Sequence, residues 1–273
     1  MRENNSIITE LLIQQQGFDA SRYDDSFLSK SLEKRISDTH CDSEEAYYTY
    51  LKQSPVEAQQ FINSLSVCYS EFFRNPLTFS ILERLILPSI IMQKAKSKQK
   101  EVRFWSAACA SGQETYSLSM LLNEYANSNG EKISFRIFAT DHSEQEIRVA
   151  INGQYSLSDL NNLNIRRLNK WFSVQGNNYI INDELKANID FSVFDLFSEQ
   201  FSSPPTSIFG DFDLIMCANL LFYYKPEYRK KIIAKISHCL SENGFLVTGE
   251  TERDILTQSG FHEVYPHSGI FQL

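Results

Sequence analysis

The chain has 273 residues, of which 42% are hydrophobic and 22% charged, and its 26 basic and 34 acidic side chains give a net charge of −8. This composition excludes a largely disordered chain, and the acidic balance argues against a general nucleic-acid binder, which needs a basic surface. The longest apolar runs, such as 85–92, are under half of the roughly 20 residues that a membrane-spanning helix needs, and the first residues show no secretory signal.

The first 75 residues have the pattern of a helical bundle. Apolar side chains recur at helical spacing in 8–16 and 27–36, and Asp42 or Ser43 is a candidate N-cap for a further helix. The pattern predicts an all-helical N-terminal domain over residues 1–76.

From about residue 101 the pattern changes to strands alternating with helices. The predicted strands are 101–107, 133–141, 212–219 and 245–250, and the predicted helices are 114–126, 142–153 and 227–240. This alternation predicts an α/β fold with a doubly wound parallel sheet in a second domain, 77–273. Gly176, Asn177 and Asn178 stand between two apolar runs and predict a small inserted antiparallel hairpin within 170–194.

The cysteines and histidines give no sign of a disulfide framework or a metal site. The five cysteines are odd in number and form no CxxC pair, and the five histidines have no HExxH spacing. We therefore expect reduced thiols, a cytoplasmic location and no metal ion.

Candidate ligand residues stand where predicted strands end, because ligands of an open parallel sheet bind beyond the carboxyl ends of its strands. The small residues of 106–114 allow close approach of a ligand, although a tight turn under a helix is the alternative. This segment lacks GxGxxG and the GKS/T of a P-loop, which argues against NAD and nucleoside triphosphates. Asp141 can accept hydrogen bonds from ribose hydroxyls, or can be the N-cap of the next helix.

Two further segments carry candidate residues. CANLLFYY at 217–224 has the character of a pocket wall with polar tips, and the alternative is an ordinary strand-to-loop transition. In YSEFFRNP at 69–76, Arg74 is a candidate clamp for a carboxylate, which a guanidinium binds through two parallel hydrogen bonds. Taken alone, Arg74 is better interpreted as a surface arginine.

Taken together and in order, five segments resemble the motifs of the chemotaxis receptor glutamate O-methyltransferases, the CheR family. They are SEFFR at 70–74, WSAACASGQETYS at 105–117, ATDHS at 139–143, FDLIMCANLLFYY at 212–224 and GFLVTGETE at 244–252. The match spans nearly the whole chain. It implies an N-terminal helical domain and a Rossmann-like class I methyltransferase domain that uses S-adenosylmethionine (SAM), with an inserted β-subdomain at about 160–192.

The resemblance also implies roles for single residues. By position, Arg74 and Tyr223 match the catalytic residues of the family. The residues that match its cofactor site are Ser70, Arg74, Glu114, Asp141, Asp195, Leu196, Ala218 and Asn219. Within that site, Glu114 corresponds to the methionine end of SAM, Asp141 to the ribose, and the pair at 195–196 to the adenine.

The sequence departs from the family pattern at five positions. Ser70 replaces Thr, Cys68 stands where Asn is frequent, Gln113 replaces Glu, Ala108 replaces Gly, and Ala218 replaces an Arg before the motif's Asn. The last change removes a cationic donor near the expected pocket. Gln113, Ala218 and Cys68 motivate an alternative function, a CheR-like SAM-binding signalling module with reduced or no methyltransferase activity.

The leading interpretation is an enzyme that methyl-esterifies glutamate side chains on the helical cytoplasmic domain of a chemotaxis receptor. A glutamate is ionised at neutral pH and can attack the sulfonium methyl group without a strong general base. A methyltransferase for small molecules is a further alternative, which leaves the N-terminal domain without a role. We expect a monomer with no nucleic-acid partner and no insertion into a membrane.

The receptor-binding surface is predicted on the helix at 27–36. Lys30, Lys34 and Arg35 share one face of it, and the resemblance implies that this helix meets the methylation region of the receptor. Residues 1–76 hold 7 basic and 12 acidic side chains, a net charge of −5, so attraction for an acidic receptor has to be local. A solvated face of an amphipathic helix is the alternative.

Overall fold

The computed structural model describes residues 2–65, 69–97, 100–129 and 133–273. The chain divides into two compact units. The first unit comprises Met1–Val67 and Leu221–Lys230, and the second comprises Cys68–Leu220 and Lys231–Leu273. Among the helices in these described ranges, none is long and apolar enough to cross a membrane.

The first unit is helical, as the sequence predicts. Its helices are α1 (Arg2–Gln16), α2 (Asp25–Asp38), α3 (Glu44–Gln53) and α4 (Pro55–Leu65). Ser43 is the N-cap of α3, since its side chain accepts a hydrogen bond from the backbone N–H of Ala46. Leu12, Leu28 and Phe61 are buried and contribute to the core that holds the helices together.

A segment from late in the sequence, Leu221–Lys230, belongs to this first unit. Tyr224 forms an isolated antiparallel bridge with Tyr23, and their rings stack with centroids 5.0 Å apart. The backbone N–H of Asp24 donates to the carbonyl oxygen of Tyr223 at 2.8 Å. Tyr223 is therefore tied to the segment that leads into α2.

The division after Val67 lies ahead of the predicted boundary at residue 76, so the segment that carries Arg74 belongs to the second unit. The reason is the burial of its two phenylalanines. Phe72 packs edge-on against Tyr155 and Phe172 at centroid distances of 5.0 and 5.6 Å, and Phe73 is buried in the same core.

The described residues of the second unit contain ten strands and most of the α-helices, and α11 begins in the segment that belongs to the first unit. The strands are β1 (Val102–Ala107), β2 (Phe135–Asp141), β3 (Gln154–Ser156), β4 (Phe172–Gln175), β5 (Asn178–Ile181), β6 (Ile189–Val193), β7 (Phe212–Met216), β8 (Leu240–Val247), β9 (His262–Glu263) and β10 (Ile270–Gln272). The remaining helices of the described chain are α5 (Pro76–Ile81), α6 (Leu87–Lys96), α7 (Gln113–Asn129), α8 (Glu144–Asn152), α9 (Ile165–Trp171), α10 (Asp183–Lys186), α11 (Pro226–Cys239) and α12 (Arg253–Gln258).

Seven strands form one sheet in the order β6-β2-β1-β7-β8-β10-β9. The first five run parallel to one another, and β10 is antiparallel to both β8 and β9. The predicted doubly wound sheet is confirmed. Its central strands β1 and β7 are almost wholly buried, as expected for strands covered on both faces.

A second, three-stranded antiparallel sheet has the order β3-β5-β4. The predicted hairpin is present, with its turn between β4 and β5. The predicted limits of the subdomain, about 160–192, differ from those of this sheet in two ways. Strand β3 precedes residue 160, and β6 pairs with β2 in the large sheet because Ile189 and Phe191 pack against the core there.

Candidate active site

Five neighbouring parallel strands of the second unit end at one edge of its large sheet. The polar residues that follow them, in the order β6, β2, β1, β7 and β8, are Asp195, Asp141, Glu114, Asn219 and Glu252. Neighbouring strands lie about 4.8 Å apart, so this row extends over roughly 19 Å. The edge therefore presents a row of polar groups to an elongated ligand.

A pocket of about 300 Å³ opens at the ends of β1, β7 and β8. Four residues of the predicted site line it, namely Arg74, Glu114, Ala218 and Asn219. Apolar side chains from strand ends, such as Met216 and Val247, form other parts of its wall. Its volume lies at the lower end of the usual range for small-molecule sites.

Asp141 fixes the loop after β1. Its side chain is 6% exposed, and Oδ2 accepts a hydrogen bond from Ala110 N while Oδ1 accepts one from Ser143 N, both at 2.9 Å. Burial opposes ionisation of Asp141, but hydrogen bonds from His142 and from these two backbone groups outweigh it, so the pKa of the carboxyl lies below its ordinary value. A carboxylate has about four acceptor positions, so Asp141 keeps capacity for a ligand hydroxyl.

The alternative role of Asp141 as an N-cap is wrong. The N-cap of α8 is Ser143, whose Oγ accepts from the backbone N–H of Glu146. Asp141 stays at the end of β2, and its carboxylate accepts from Ala110 N and Ser143 N, which orients the backbone of both loops.

The loops at this edge contain backbone in the left-handed region. Ala108, Ala110 and Asn219 have φ of 60°, 45° and 60°, which cost free energy for residues other than glycine. Gly112 has φ of 92°, and a Cβ there would lie 2.9 Å from Cβ of Ala150. Such strain is typical of functional loops that their surroundings hold in place.

Glu114 is the half-buried acidic side chain at the start of α7, and its Oε1 accepts a hydrogen bond from Ser106 Oγ at 3.1 Å. Burial raises its pKa to about 7, and the charge of Glu252 acts in the same direction. The Ser106 hydrogen bond and the charge of Arg74 oppose this rise. Glu114 is therefore about half ionised at neutral pH, and a bound cation would favour its charged form.

Among the residues described as lining the pocket, one side chain is basic, that of Arg74. Two are acidic, those of Glu114 and Glu250. The guanidinium of Arg74 donates to the carbonyl oxygen of Tyr69 at 3.2 Å and lies 5.1 Å from the centroid of the Tyr69 ring. These contacts hold a positive charge beside the pocket, in a position to pair with a carboxylate.

Glu252 is the residue that sequence reasoning missed. It is 0% exposed, and its Oε2 accepts hydrogen bonds from Asn219 N at 2.7 Å, Thr248 Oγ1 at 2.9 Å and Gly249 N at 3.0 Å. The available signal was its place as the last residue of the GFLVTGETE segment, two positions beyond the acidic Glu250.

Other predicted site residues lie outside the lining of this pocket. Asp195 is exposed and accepts from Phe197 N at 2.9 Å, whereas Leu196 is buried. Ser70 is half-buried in the extended stretch before Arg74. Tyr223 belongs to the first unit, and Cys68 lies outside the described residues. Their proposed roles remain predictions.

Ala218 and Gln113, two of the departures from the family pattern, lie in different parts of the site. Ala218 lines the pocket, so the absence of a longer side chain there bears on ligand binding. Gln113 is buried, and its Oε1 accepts from Ser111 Oγ at 2.9 Å, which ties it to the loop before α7. Across the described ranges, no group of three or more His, Cys, Asp or Glu side chains is arranged to hold a metal ion.

The three basic residues of the predicted receptor-binding face differ in their surroundings. Lys30 and Lys34 are exposed on α2, but Arg35 donates from Nε and Nη2 to the two carboxylate oxygens of Glu57, at 2.9 and 2.7 Å. Glu57 is 2% exposed and also accepts from Tyr47 Oη at 2.7 Å. Arg35 is thus a partner in a buried network between α2 and α4, and its charge is already paired.

Comparison with known proteins agrees with this architecture. Residues 69–265 match the family model "CheR methyltransferase, SAM binding domain", and residues 6–66 match "CheR methyltransferase, all-alpha domain". The chain is 31% identical to a chemotaxis protein methyltransferase of Borreliella burgdorferi over 212 residues, which are 76% of this chain and 72% of that protein.

Two further relatives are similar over comparable lengths. The chemotaxis protein methyltransferase 1 of Pseudomonas aeruginosa is 31% identical over 198 residues, covering 71% of this chain and 69% of the relative. The chemotaxis protein methyltransferase of Salmonella typhimurium is 27% identical over 252 residues, covering 90% and 82%. The chain therefore belongs to the CheR methyltransferase family, and residues 69–265 are its SAM-binding domain.

Proposed function

We propose that this SAM-dependent methyltransferase esterifies glutamate side chains of a chemotaxis receptor in the cytoplasm. The observation that carries the proposal is the pocket at the carboxyl edge of the sheet, which Arg74 and Glu114 both line, so that it offers a positive charge and a carboxyl group. The names of the chemotaxis protein methyltransferases that resemble this chain support the choice of a receptor as the substrate.

The residues along the sheet edge fit SAM in one direction. Asp141, ionised and with acceptor capacity left, suits the two ribose hydroxyls. Glu114 suits the cationic methionine end, because a carboxylate attracts the sulfonium and ammonium charges. The adenine then lies toward Asp195 and Leu196, beyond β6. When bound, SAM supplies an electrophilic methyl group on a positively charged sulfur.

Arg74 orients the acceptor in this proposal. Its guanidinium can hold one oxygen of the substrate glutamate while the other oxygen faces the methyl group. Transfer forms a C–O bond to that oxygen and breaks the C–S bond, and the leaving sulfur becomes a neutral thioether. No proton has to move, because a glutamate carboxylate is already ionised at neutral pH. Tyr223 is assigned to positioning from the sequence resemblance.

Recognition of the receptor is assigned to the exposed lysines of α2. Lys30 and Lys34 are one helical turn apart and both point to solvent. An acidic receptor helix would gain local electrostatic attraction there, mainly in the rate of association.

The experiment is transfer of labelled methyl groups from SAM to a receptor cytoplasmic fragment, compared with the same fragment whose candidate glutamates are changed to alanine. Glutamate methyl esters release methanol in alkali, whereas methylated amines do not. Alkali-labile label that requires the glutamates supports the proposal. SAM binding measured by calorimetry without any methyl transfer supports the inactive signalling module instead, and transfer to small acids but not to receptors supports a small-molecule enzyme.

A further inference from the structure

Glu252 is a buried carboxylate with hydrogen-bond donors from two different loops. Asn219 N belongs to the loop after β7, whereas Thr248 Oγ1 and Gly249 N belong to the loop after β8. All three donors converge on one oxygen, Oε2. A carboxylate that accepts several hydrogen bonds in a buried position forms a strong local cross-link.

The two loops approach each other so closely at Gly249 that a side chain at this position would clash. A Cβ on Gly249 would lie 2.5 Å from Nδ2 of Asn219 and 2.9 Å from Oε2 of Glu252. Asn219 itself has φ of 60°, a left-handed conformation that its surroundings have to enforce. In this conformation the backbone N–H of Asn219 donates the shortest of the three hydrogen bonds to Glu252 Oε2, at 2.7 Å.

We propose that Glu252 is a positioning residue, which holds Asn219 and the loop after β8 in the conformation that shapes the SAM pocket. Six of the residues that line this pocket come from those two loops, namely Ala218, Asn219, Thr248, Gly249, Glu250 and Thr251. Glu252 is absent from the lining and acts through them. The inference rests on the proposed assignment of the pocket to SAM.

Glu252 has a second effect that a merely space-filling residue would lack. Its charge disfavours ionisation of Glu114, which is also influenced by burial, by the hydroxyl of Ser106 and by the charge of Arg74. The neighbouring thiols of Cys109 and Cys217 stay neutral, because burial and nearby carboxylates raise the pKa of both. Loss of the Glu252 charge should therefore allow Glu114 to ionise at lower pH.

The test compares Glu252→Gln, which keeps the shape and removes the charge, with Asp254→Asn, which removes an exposed charge two residues away. Calorimetry measures the affinity for SAM and for S-adenosylhomocysteine, which lacks the sulfonium charge, between pH 5.5 and 8.5. At pH 8.5 Glu252→Gln should bind both molecules at least about tenfold more weakly than the parent. The pH midpoint of SAM binding should also fall, and Asp254→Asn should change neither quantity.

Thermal unfolding shows whether Glu252→Gln folds. If Glu252→Gln does not fold, Thr248→Val replaces it in the test, because this variant removes one donor and keeps the carboxylate. Thr248→Val should then show a smaller loss of affinity. Affinities for both molecules equal to those of Asp254→Asn, with an unmoved pH midpoint, would overturn the proposal. Loss of SAM affinity with parent-like binding of S-adenosylhomocysteine would also overturn it, because the effect would then be charge attraction alone. Failure of the parent protein to bind SAM contradicts the assignment of the pocket itself.

Discussion

Replacement of Glu114 by glutamine should change folding stability and SAM affinity in opposite directions at pH 8. The carboxyl of Glu114 has an ordinary pKa of 4.5, and burial in the folded protein raises this pKa to about 7. The folded state therefore binds a proton that the unfolded state has released, over the range between these two values. Each unit of difference between the pKa values of the folded and unfolded states corresponds to 1.36 kcal/mol. Ionised Glu114 therefore costs about 3 kcal/mol of folding free energy above pH 7.

The sign of the effect follows from the raised pKa. Below pH 4.5 the group is protonated in both states and costs nothing. As pH rises from 4.5 to 7 the folding free energy becomes progressively less favourable, and above pH 7 the full cost of ionised Glu114 is present. Glu114→Gln keeps a side-chain oxygen for the Ser106 hydroxyl and cannot ionise. Without cofactor, it should therefore be more stable than the parent at pH 8, by up to about 3 kcal/mol, and should differ little at pH 4.5.

Urea unfolding of both proteins at several pH values from 4.5 to 8 measures this difference, because groups that titrate alike in the two chains cancel. Asp254→Asn, an exposed charge removal, is the control and should give a flat difference. A difference between the parent and Glu114→Gln that is the same at pH 4.5 and pH 8 would refute the reasoning. The same variant should bind SAM more weakly at pH 8, and its affinity should lose the rise with pH that the parent shows near 7.

Other predictions concern single contacts of the two units. Asp141→Asn should weaken SAM binding roughly tenfold or more in calorimetry, because the ribose hydroxyls lose a charged acceptor; unchanged affinity would contradict the assignment. Tyr223→Phe keeps the ring contacts with Phe27 and Phe222 and should slow methyl transfer, and a parent-like rate would limit the tyrosine to packing. Reversing Lys30 and Lys34 to glutamate should slow receptor methylation at low salt and leave SAM affinity unchanged; parent-like methylation at low salt would exclude this face. Gly112→Ala should lower the free energy of unfolding by about 1–3 kcal/mol in urea titration, because its φ is 92° and a Cβ would meet Ala150; parent-like stability would show that the loop adapts.

The central strands and the helices between them could be predicted because their signal is local. Buried strands such as β1 and β7 consist mostly of apolar residues, and α7 repeats its apolar residues at helical spacing. Strand β6 could not be assigned in this way. Its five residues, Ile189–Val193, alternate apolar with polar side chains like the hairpin before them, and only pairing with β2 shows which sheet it joins.

The candidate site was predictable wherever a motif places its residue directly at a strand end. Asp141 and Asn219 follow β2 and β7 closely, so the topology of the sheet brings them to one edge. Glu252 follows the end of β8 by five residues, in a short helical turn that looks like an ordinary acidic helix start. Its role depends on a donor in the loop after β7, 33 residues earlier in the chain, and no local pattern reports such a pairing.

Arg35 is a second residue whose partner could not be predicted from the local sequence. Its neighbours on α2 identify a basic stripe, and sequence spacing groups it with Lys30 and Lys34. One residue corresponds to about 100° around a helix, so Arg35 turns from the exposed side of Lys34 toward α4, where Glu57 is buried. A buried carboxylate needs a partner, and Arg35 supplies it with two hydrogen bonds. The guanidinium therefore contributes to holding α2 on α4, and the prediction of a receptor-binding face rests mainly on the two exposed lysines of this helix.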